Sequence, residues 1–334
     1  MSFRISKKKI KKMVKNKKIL ICGASGFIGQ NATNFFSKDN KVFGTYFKNK
    51  PKKNLTNVKW IYVNLLDRKS INYIFKNYKF DIVIQCAAVT AGVKSMNKDP
   101  FLFISDNAIM NSLLVKFSAE YKVNHFIFMS CTVMYSSSNR KLTENDFDYS
   151  KKIHPSYEGI AYTKLYIENI CKFYSNNSDT KFTCLRHSNI YGPYDKFDNP
   201  SGHFMSSVIS RIFKNKNKIL EIWGDGSEKR DFLYVDDLIN AIFLIIKKQK
   251  NKFKLYNLSY GKSFSIKEIV KLIIQVSKLN KQPKYLKNKP TIKVNILVDN
   301  NKIKKELEWN NKINLKEGIN KTINWYKSKK YKIS

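Results

Sequence analysis

The stretch Ile19-Leu-Ile-Cys-Gly23-Ala-Ser-Gly26-Phe-Ile-Gly29 decides the fold. Four apolar residues run into glycines spaced G-x-x-G-x-x-G, and a helix-compatible segment, 27–37, follows. This is the order that a buried strand turning sharply into a helix requires. Gly23 permits the tight turn, Gly26 lets backbone N–H groups approach a pyrophosphate at the helix N-terminus, and Gly29 allows close helix-to-strand packing. Ser25, Phe27 and Ile28 complete the turn.

Outward from it the same alternation repeats. Apolar, β-branched runs at 19–22, 41–47, 58–63, 80–86, 125–131 and 182–185 read as strands. Helix-compatible segments at 27–37, 70–77, 100–121 and 159–174 lie between them, which predicts a doubly wound α/β core with a parallel sheet covered on both faces. Past about residue 190 turn-rich stretches separate isolated helices and short strands, as in Tyr191-Gly-Pro-Tyr-Asp195, Asn199-Pro-Ser-Gly202 and Trp223-Gly-Asp-Gly226. Ser265-Ile-Lys-Glu268 has capping-box form and predicts a helix to about residue 279. The expected organisation is a basic extension (1–17), a dinucleotide-binding domain (18–190) and a smaller substrate lobe (191–334) with some segments returning to the core.

The 334 residues carry 63 Lys or Arg and 25 Asp or Glu, a formal charge of +38, and 43% are hydrophobic, enough for a full core. The longest purely apolar run, 241–246, is far short of the ~20 residues of a membrane-spanning helix. The basic segment 1–18 is not followed by an apolar leader, so a cytoplasmic protein is expected. Cys22, Cys86, Cys131, Cys171 and Cys184 show no metal-ligand or disulfide spacing, and no metal is expected. The charge favours anionic partners in general, or is a solvated lysine surface. No nucleic-acid reading module is present, and none is expected to bind.

Where dinucleotide turns of this kind hold NAD, an acid usually ends the second strand and takes the ribose 2′-hydroxyl. Here Gly44-Thr-Tyr46-Phe-Lys48-Asn-Lys50 has no acid and two lysines, which suits the 2′-phosphate of NADP, with NAD left open. Asp67, after the third strand, either approaches the adenine or is a helix N-terminal acid.

Further motifs accompany the turn: Cys86-Ala87-Ala88, Asn107, Ser130-Cys131-Thr132-Val-Met-Tyr135, Ala161-Tyr-Thr-Lys164, Arg186-His-Ser-Asn189-Ile-Tyr-Gly-Pro193, Trp223-Gly-Asp-Gly and Arg230-Asp-Phe-Leu-Tyr-Val-Asp-Asp237. With these the chain resembles the extended short-chain dehydrogenase/reductases, the NAD-dependent epimerase/dehydratase family acting on nucleotide sugars, from about residue 18 to 325. Within that family it is similar to the GDP-L-fucose synthase branch, through Tyr191-Gly-Pro-Tyr-Asp195-Lys-Phe, Gly202-His203-Phe and Arg211. The resemblance implies a homodimer and a nucleotide-sugar site lined by Asn189, Arg211, Trp223 and Arg230. It also implies cofactor contacts from Ala87, Ala88, Asn107 and Lys164. An Arg fork suits a diphosphate, and an indole offers a surface for a base or sugar.

The family pattern breaks at three places. The family's proton-transfer Tyr stands four residues before the Lys, and here position 160 is Ile. Its catalytic Ser/Thr falls on Cys131, beside Thr132, and a thiol is a poor donor. Fucose synthases epimerise with a Cys and a His; His203 matches the His, but the Cys position is Val133. Tyr157, seven residues before Lys164, returns to its helix face and is the better substitute phenol than Tyr162, water being the other route. The leading expectation is an NADP-dependent enzyme that reduces or epimerises a nucleotide sugar through a 4-keto species, for polysaccharide precursors. The second is a binding protein of the same fold that has lost turnover, and the third a nucleic-acid binder.

Overall fold

The computed structural model describes residues 14–51, 55–90, 100–197, 202–289 and 291–330. Most of the basic extension, residues 1–13, and residues 199–201 of one expected turn lie outside them. Seven strands form one sheet: β1 (Lys18–Cys22), β2 (Lys41–Tyr46), β3 (Val58–Tyr62), β4 (Ile82–Gln85), β5 (His125–Cys131), β6 (Lys181–His187) and β10 (Phe253–Leu258). Their order is β3-β2-β1-β4-β5-β6-β10, and every neighbouring pair is parallel. The chain leaves β1 toward β2 and β3 and returns to β4, so the crevice at the C-terminal ends of β1 and β4 is the switch point where such sheets bind ligands.

Burial on both faces explains the near-continuous apolar strands. Ile19 and Ile21 enter one core with α1 (Phe27–Phe36) and α6 (Val235–Lys248), while Leu20 and Cys22 enter another. That second core is closed by α2 (Arg68–Tyr78), α3 (Pro100–Glu120) and α4 (Glu158–Asn176), through Ile71, Phe75, Leu114, Val115, Ile167 and Cys171. A smaller cluster of Met134, Tyr135, Leu142, Ile153, Ala161, Leu165 and Val298 packs beyond the end of β5.

β7 (Asn189–Tyr191), β9 (Lys229–Tyr234) and β11 (Ser263–Ser265) make a three-stranded sheet, and β8 (Ile219–Trp223) pairs with β12 (Gln282–Leu286). α5 (Phe204–Lys214), α7 (Ile266–Ser277), α8 (Asn301–Leu307) and α9 (Leu315–Lys330) accompany them. The capping box at α7 forms as the pattern predicts: Glu268 N–H donates to Ser265 Oγ at 3.2 Å, and Ser265 N–H donates to the Glu268 carboxylate at 2.6 Å. Two strands differ from the apolar pattern. β6 continues past Leu185 to His187 because Arg186 and His187 pair with Ser130 and Cys131 despite their polarity. β10, with Lys254 and Asn257 interrupting its apolar residues, is an edge strand of mixed composition.

Candidate active site

The glycine turn is built as its spacing requires. Gly23 has φ +68°, and a Cβ there would stand 2.7 Å from Ala87 Cα; a Cβ on Gly29 would overlap the Gly23 carbonyl. Thr45, at the end of β2, fixes the turn from below: its hydroxyl accepts from Gly23 N–H and its carbonyl from Ala24 N–H, both at 2.9 Å. Gly26 is the exposed N-cap of α1 and offers no side-chain cap. The N–H groups of Phe27 and Ile28 in the first turn therefore have no helical acceptor. With no acid in that turn, these residues fit a dinucleotide pyrophosphate.

The other expected cofactor residues surround it. Tyr46 meets Tyr62 at 5.8 Å between ring centroids, and Lys48 is exposed just beyond. Asp67 caps α2, accepting from Lys69 N–H and Ser70 N–H at 3.1 Å and from the Ser70 hydroxyl, bonds that hold its carboxyl below the usual range. Gln85 grips Ala87 through both its N–H and C=O at 3.1 Å, while Ala88 is exposed. Asn107 on α3 donates to the Val89 carbonyl at 2.9 Å and accepts from its N–H at 3.0 Å, so it fixes the loop that carries the two alanines.

Lys164 lies on α4 behind the end of β5. Its ammonium donates to the Met129 carbonyl at 2.7 Å and stands 4.6 Å from the Phe128 ring centroid; burial lowers its pKa against the opposing pull of Cys131 and Glu168. Cys131 is within electrostatic reach, and burial pushes its thiol up, so it is a protonated, unreactive thiol. Thr132 is buried beside it. Tyr157 is the N-cap of α4, outside the helix proper at φ −110° and ψ −12°, with its ring 5.8 Å from that of His154. It packs on the cluster that Cys131 and Val133 also touch.

His203 is the N-cap of α5. Its Nδ1 lies 2.7 Å from the buried Asp195 carboxylate and its ring 6.3 Å from that of Phe27, so it stands over the dinucleotide turn. A carboxylate only accepts, so Nδ1 carries a proton.

The substrate candidates occupy the second lobe. Asn189 donates to the Asp231 carbonyl at 2.9 Å. Arg211 on α5 donates to the Glu221 carbonyl of β8 at 2.5 Å, and Trp223, on the same strand, is 48% exposed rather than core. Arg230 on β9 is half-buried with a buried Nε that has no partner.

Three side chains that the sequence reading did not single out, Glu168, Asp231 and His187, stand on these strands and helices. Glu168, one turn after Lys164, forms a buried pair with Arg186 (Nη2 to Oε2, 2.6 Å) and accepts from Ser130 Oγ at 2.6 Å, tying α4 to β5 and β6. Asp231, 1% exposed, accepts from Ser188 Oγ and from the N–H groups of Tyr260, Gly261 and Lys262 at 2.7 to 3.1 Å. Burial nonetheless pushes its carboxyl up to about 6. His187 ends β6 opposite Cys131. The i, i+4 spacing from Lys164 to Glu168 is a signal in the sequence; the placement of His187 emerges only from strand register.

A doubly wound sheet with an uncapped glycine turn at its switch point and a half-buried lysine held at the end of β5 defines a dinucleotide-binding enzyme fold. The profile of the NAD dependent epimerase/dehydratase family matches residues 19–259, and the chain belongs to that family. GDP-L-colitose synthase of Yersinia pseudotuberculosis is 28% identical over 320 residues, 94% of this chain and 99% of that protein. GDP-L-fucose synthase of Escherichia coli K12 is 23% identical over 277 residues, 79% and 85% of the two chains. UDP-glucose 4-epimerase of Thermotoga maritima, solved with UDP-glucose, shares the fold at TM-score 0.82 and 23% identity, over 93% of this chain and 99% of that one. Among the described residues, no helix is long and apolar enough to cross a membrane, and no three His, Cys, Asp or Glu side chains are grouped to hold a metal ion.

Proposed function

We propose that this protein is an NADP-dependent reductase or epimerase acting on a GDP-linked sugar through a 4-keto species, supplying precursors for a surface polysaccharide in the cytoplasm. What supports the reading most is the exposed, uncapped glycine turn at the switch point of the sheet, with the His203 ring near Phe27 and the Lys164 ammonium held at the end of β5. The nicotinamide, when bound, exchanges hydride with the sugar carbon. The N–H groups of α1's first turn hold the pyrophosphate, Lys164 orients the nicotinamide ribose, and Lys48 meets the 2′-phosphate. Arg211 and Arg230 hold the sugar diphosphate, Trp223 packs on the base or sugar, and Asn189 orients the sugar ring. Residues 191–334, apart from segments such as β10 and α6 that return to the core, form the sugar-nucleotide lobe.

The partnering surface is a second copy of this chain. α3 and α4 lie side by side and expose Ile109, Tyr166 and Phe173, an apolar face suited to a two-fold four-helix contact. Light scattering should give twice the chain mass, and a monomer would count against it.

The test is oxidation of NADPH and NADH against a panel of 4-keto nucleotide sugars including GDP-4-keto-6-deoxymannose. Turnover with a GDP sugar and preference for NADPH are expected, and a wild type that binds no nucleotide sugar in calorimetry would refute the reading. Ile160 at the phenol position favours a second reading, a binding protein without turnover. Tight cofactor and sugar binding with no hydride exchange would establish that one instead.

A further inference from the structure

Ile160 removes the phenol that should move the proton, so another group must meet the reacting oxygen. Tyr157 sits at the helix N-cap, packed into an apolar cluster. Cys131 is a weak donor in any state. His187 is different. It ends β6 at the C-terminal edge of the sheet, with Cys131 of β5 and Leu258 of β10 as its strand neighbours. Its Nδ1 lies 2.8 Å from the Ser188 carbonyl. A carbonyl oxygen can only accept, so Nδ1 carries hydrogen and Nε2 is the unprotonated nitrogen of the neutral ring. Lys164 of α4 and His203 at the start of α5 both act electrostatically on the ring, and the Cys131 thiol belongs to its neighbour on β5.

Resting on the reductase or epimerase reading above, we propose that His187, through Nε2, is the proton-transfer group for the sugar oxygen in place of the missing phenol. In the reducing direction the sugar carbonyl carbon receives hydride, its C–O π pair moves to oxygen, and that oxygen takes the proton from Nε2 of the imidazolium. The ring is left neutral, the cofactor is oxidised, and solvent restores the proton. In the oxidising direction neutral Nε2 takes the hydroxyl proton as hydride leaves. Burial, reinforced by Lys164 and His203, holds the imidazole down at about 4 and so neutral near pH 7. A sugar diphosphate brings negative charge that favours the imidazolium.

Two measurements on the full chain test this. The chain has four histidines, so ¹⁵N-histidine NMR resolves His187; it should be the Nδ1–H tautomer at pH 7, with an imidazolium pKa raised when NADP and GDP-mannose are added. An Nε2–H tautomer overturns the proposal without any variant. Stopped-flow NADPH oxidation by His187→Gln should show kcat reduced at least ~100-fold with KM and NADPH affinity within about threefold of wild type, as loss of an acid–base group does. Added imidazole should recover part of the rate, and Ile160→Tyr in the same chain should recover it as well. A kcat within fivefold of wild type overturns this proposal alone; a wild type that binds the sugar without turning over overturns both it and the enzyme reading.

Discussion

Removing Glu168 is the perturbation whose size the structure fixes most directly. Glu168 and Arg186 have side chains 6% and 4% exposed. The guanidinium reaches the carboxylate through Nε at 3.0 and 3.1 Å and Nη2 at 2.6 Å. Burial disfavours Arg186's charge, and the Glu168 carboxylate more than offsets this, raising its pKa. In Glu168→Leu the guanidinium keeps its charge, because it cannot shed a proton in the accessible range, and retains no carboxylate, with Tyr135 Oη at 2.8 Å, the Glu144 carbonyl at 3.2 Å and the Tyr135 and Phe147 ring faces as its remaining partners. Stranding one partner of such a pair costs about 3–5 kcal/mol. Arg186→Met should cost less, about 2–3 kcal/mol, because a carboxyl can take up a proton instead. The double variant should be at least ~2 kcal/mol more stable than the sum of the single losses, since apolar replacement of both partners leaves no stranded charge. Urea unfolding of the four proteins at pH 7 measures this. A cost below about 1 kcal/mol for Glu168→Leu, or strict additivity, would refute the claim that this pair is an interdependent buried lock.

Gly29→Ala should lose NADPH binding and destabilise the fold, because its Cβ meets the Gly23 carbonyl, whereas Gly26→Ala, whose Cβ has only that carbonyl at 3.2 Å, should fold normally and bind cofactor more weakly; fluorescence titration and thermal melts separate the two. Asp231, with its carboxyl raised from 3.8 to about 6, gives stability that is present below pH 4 and lost as pH rises through 6. The stability of wild type relative to Asp231→Asn should therefore fall by about 3 kcal/mol across that window, from a shift of about two units at 1.36 kcal/mol each. A flat difference between the two proteins would show that the four donors around Asp231 fully offset its burial.

The core of the fold was legible because its signals are local. A strand, a G-x-x-G-x-x-G turn and a helix are contiguous, and a sheet covered on both faces writes its strands as unbroken apolar runs. The pattern failed where strands are not wholly apolar. β6 carries Arg186 and His187 at its end because Glu168 neutralises one and the Ser188 carbonyl partners the other, and β10 lies at the sheet edge where Lys254 can pair with Glu306 at 2.7 Å.

The site divides along the same line. Gly23, Gly29 and Lys164 are recognisable by spacing, and so is the absence of a phenol at Ile160. What holds those groups is non-local: Thr45 reaches Gly23 across 22 residues, and Asp231 reaches Ser188 across 43. His187 is the sharpest case. In the sequence it is one residue of a family motif, between a structural arginine and a serine; register alone sets it opposite Cys131, and one carbonyl fixes which nitrogen is free. A site that lost its phenol while keeping Lys164, and that holds a histidine with a free Nε2 at the neighbouring strand end, has the parts for a relocated proton path. NADPH oxidation by the wild type separates an enzyme from a binding protein, and His187→Gln and Ile160→Tyr beside it test the proton path in the same set of traces.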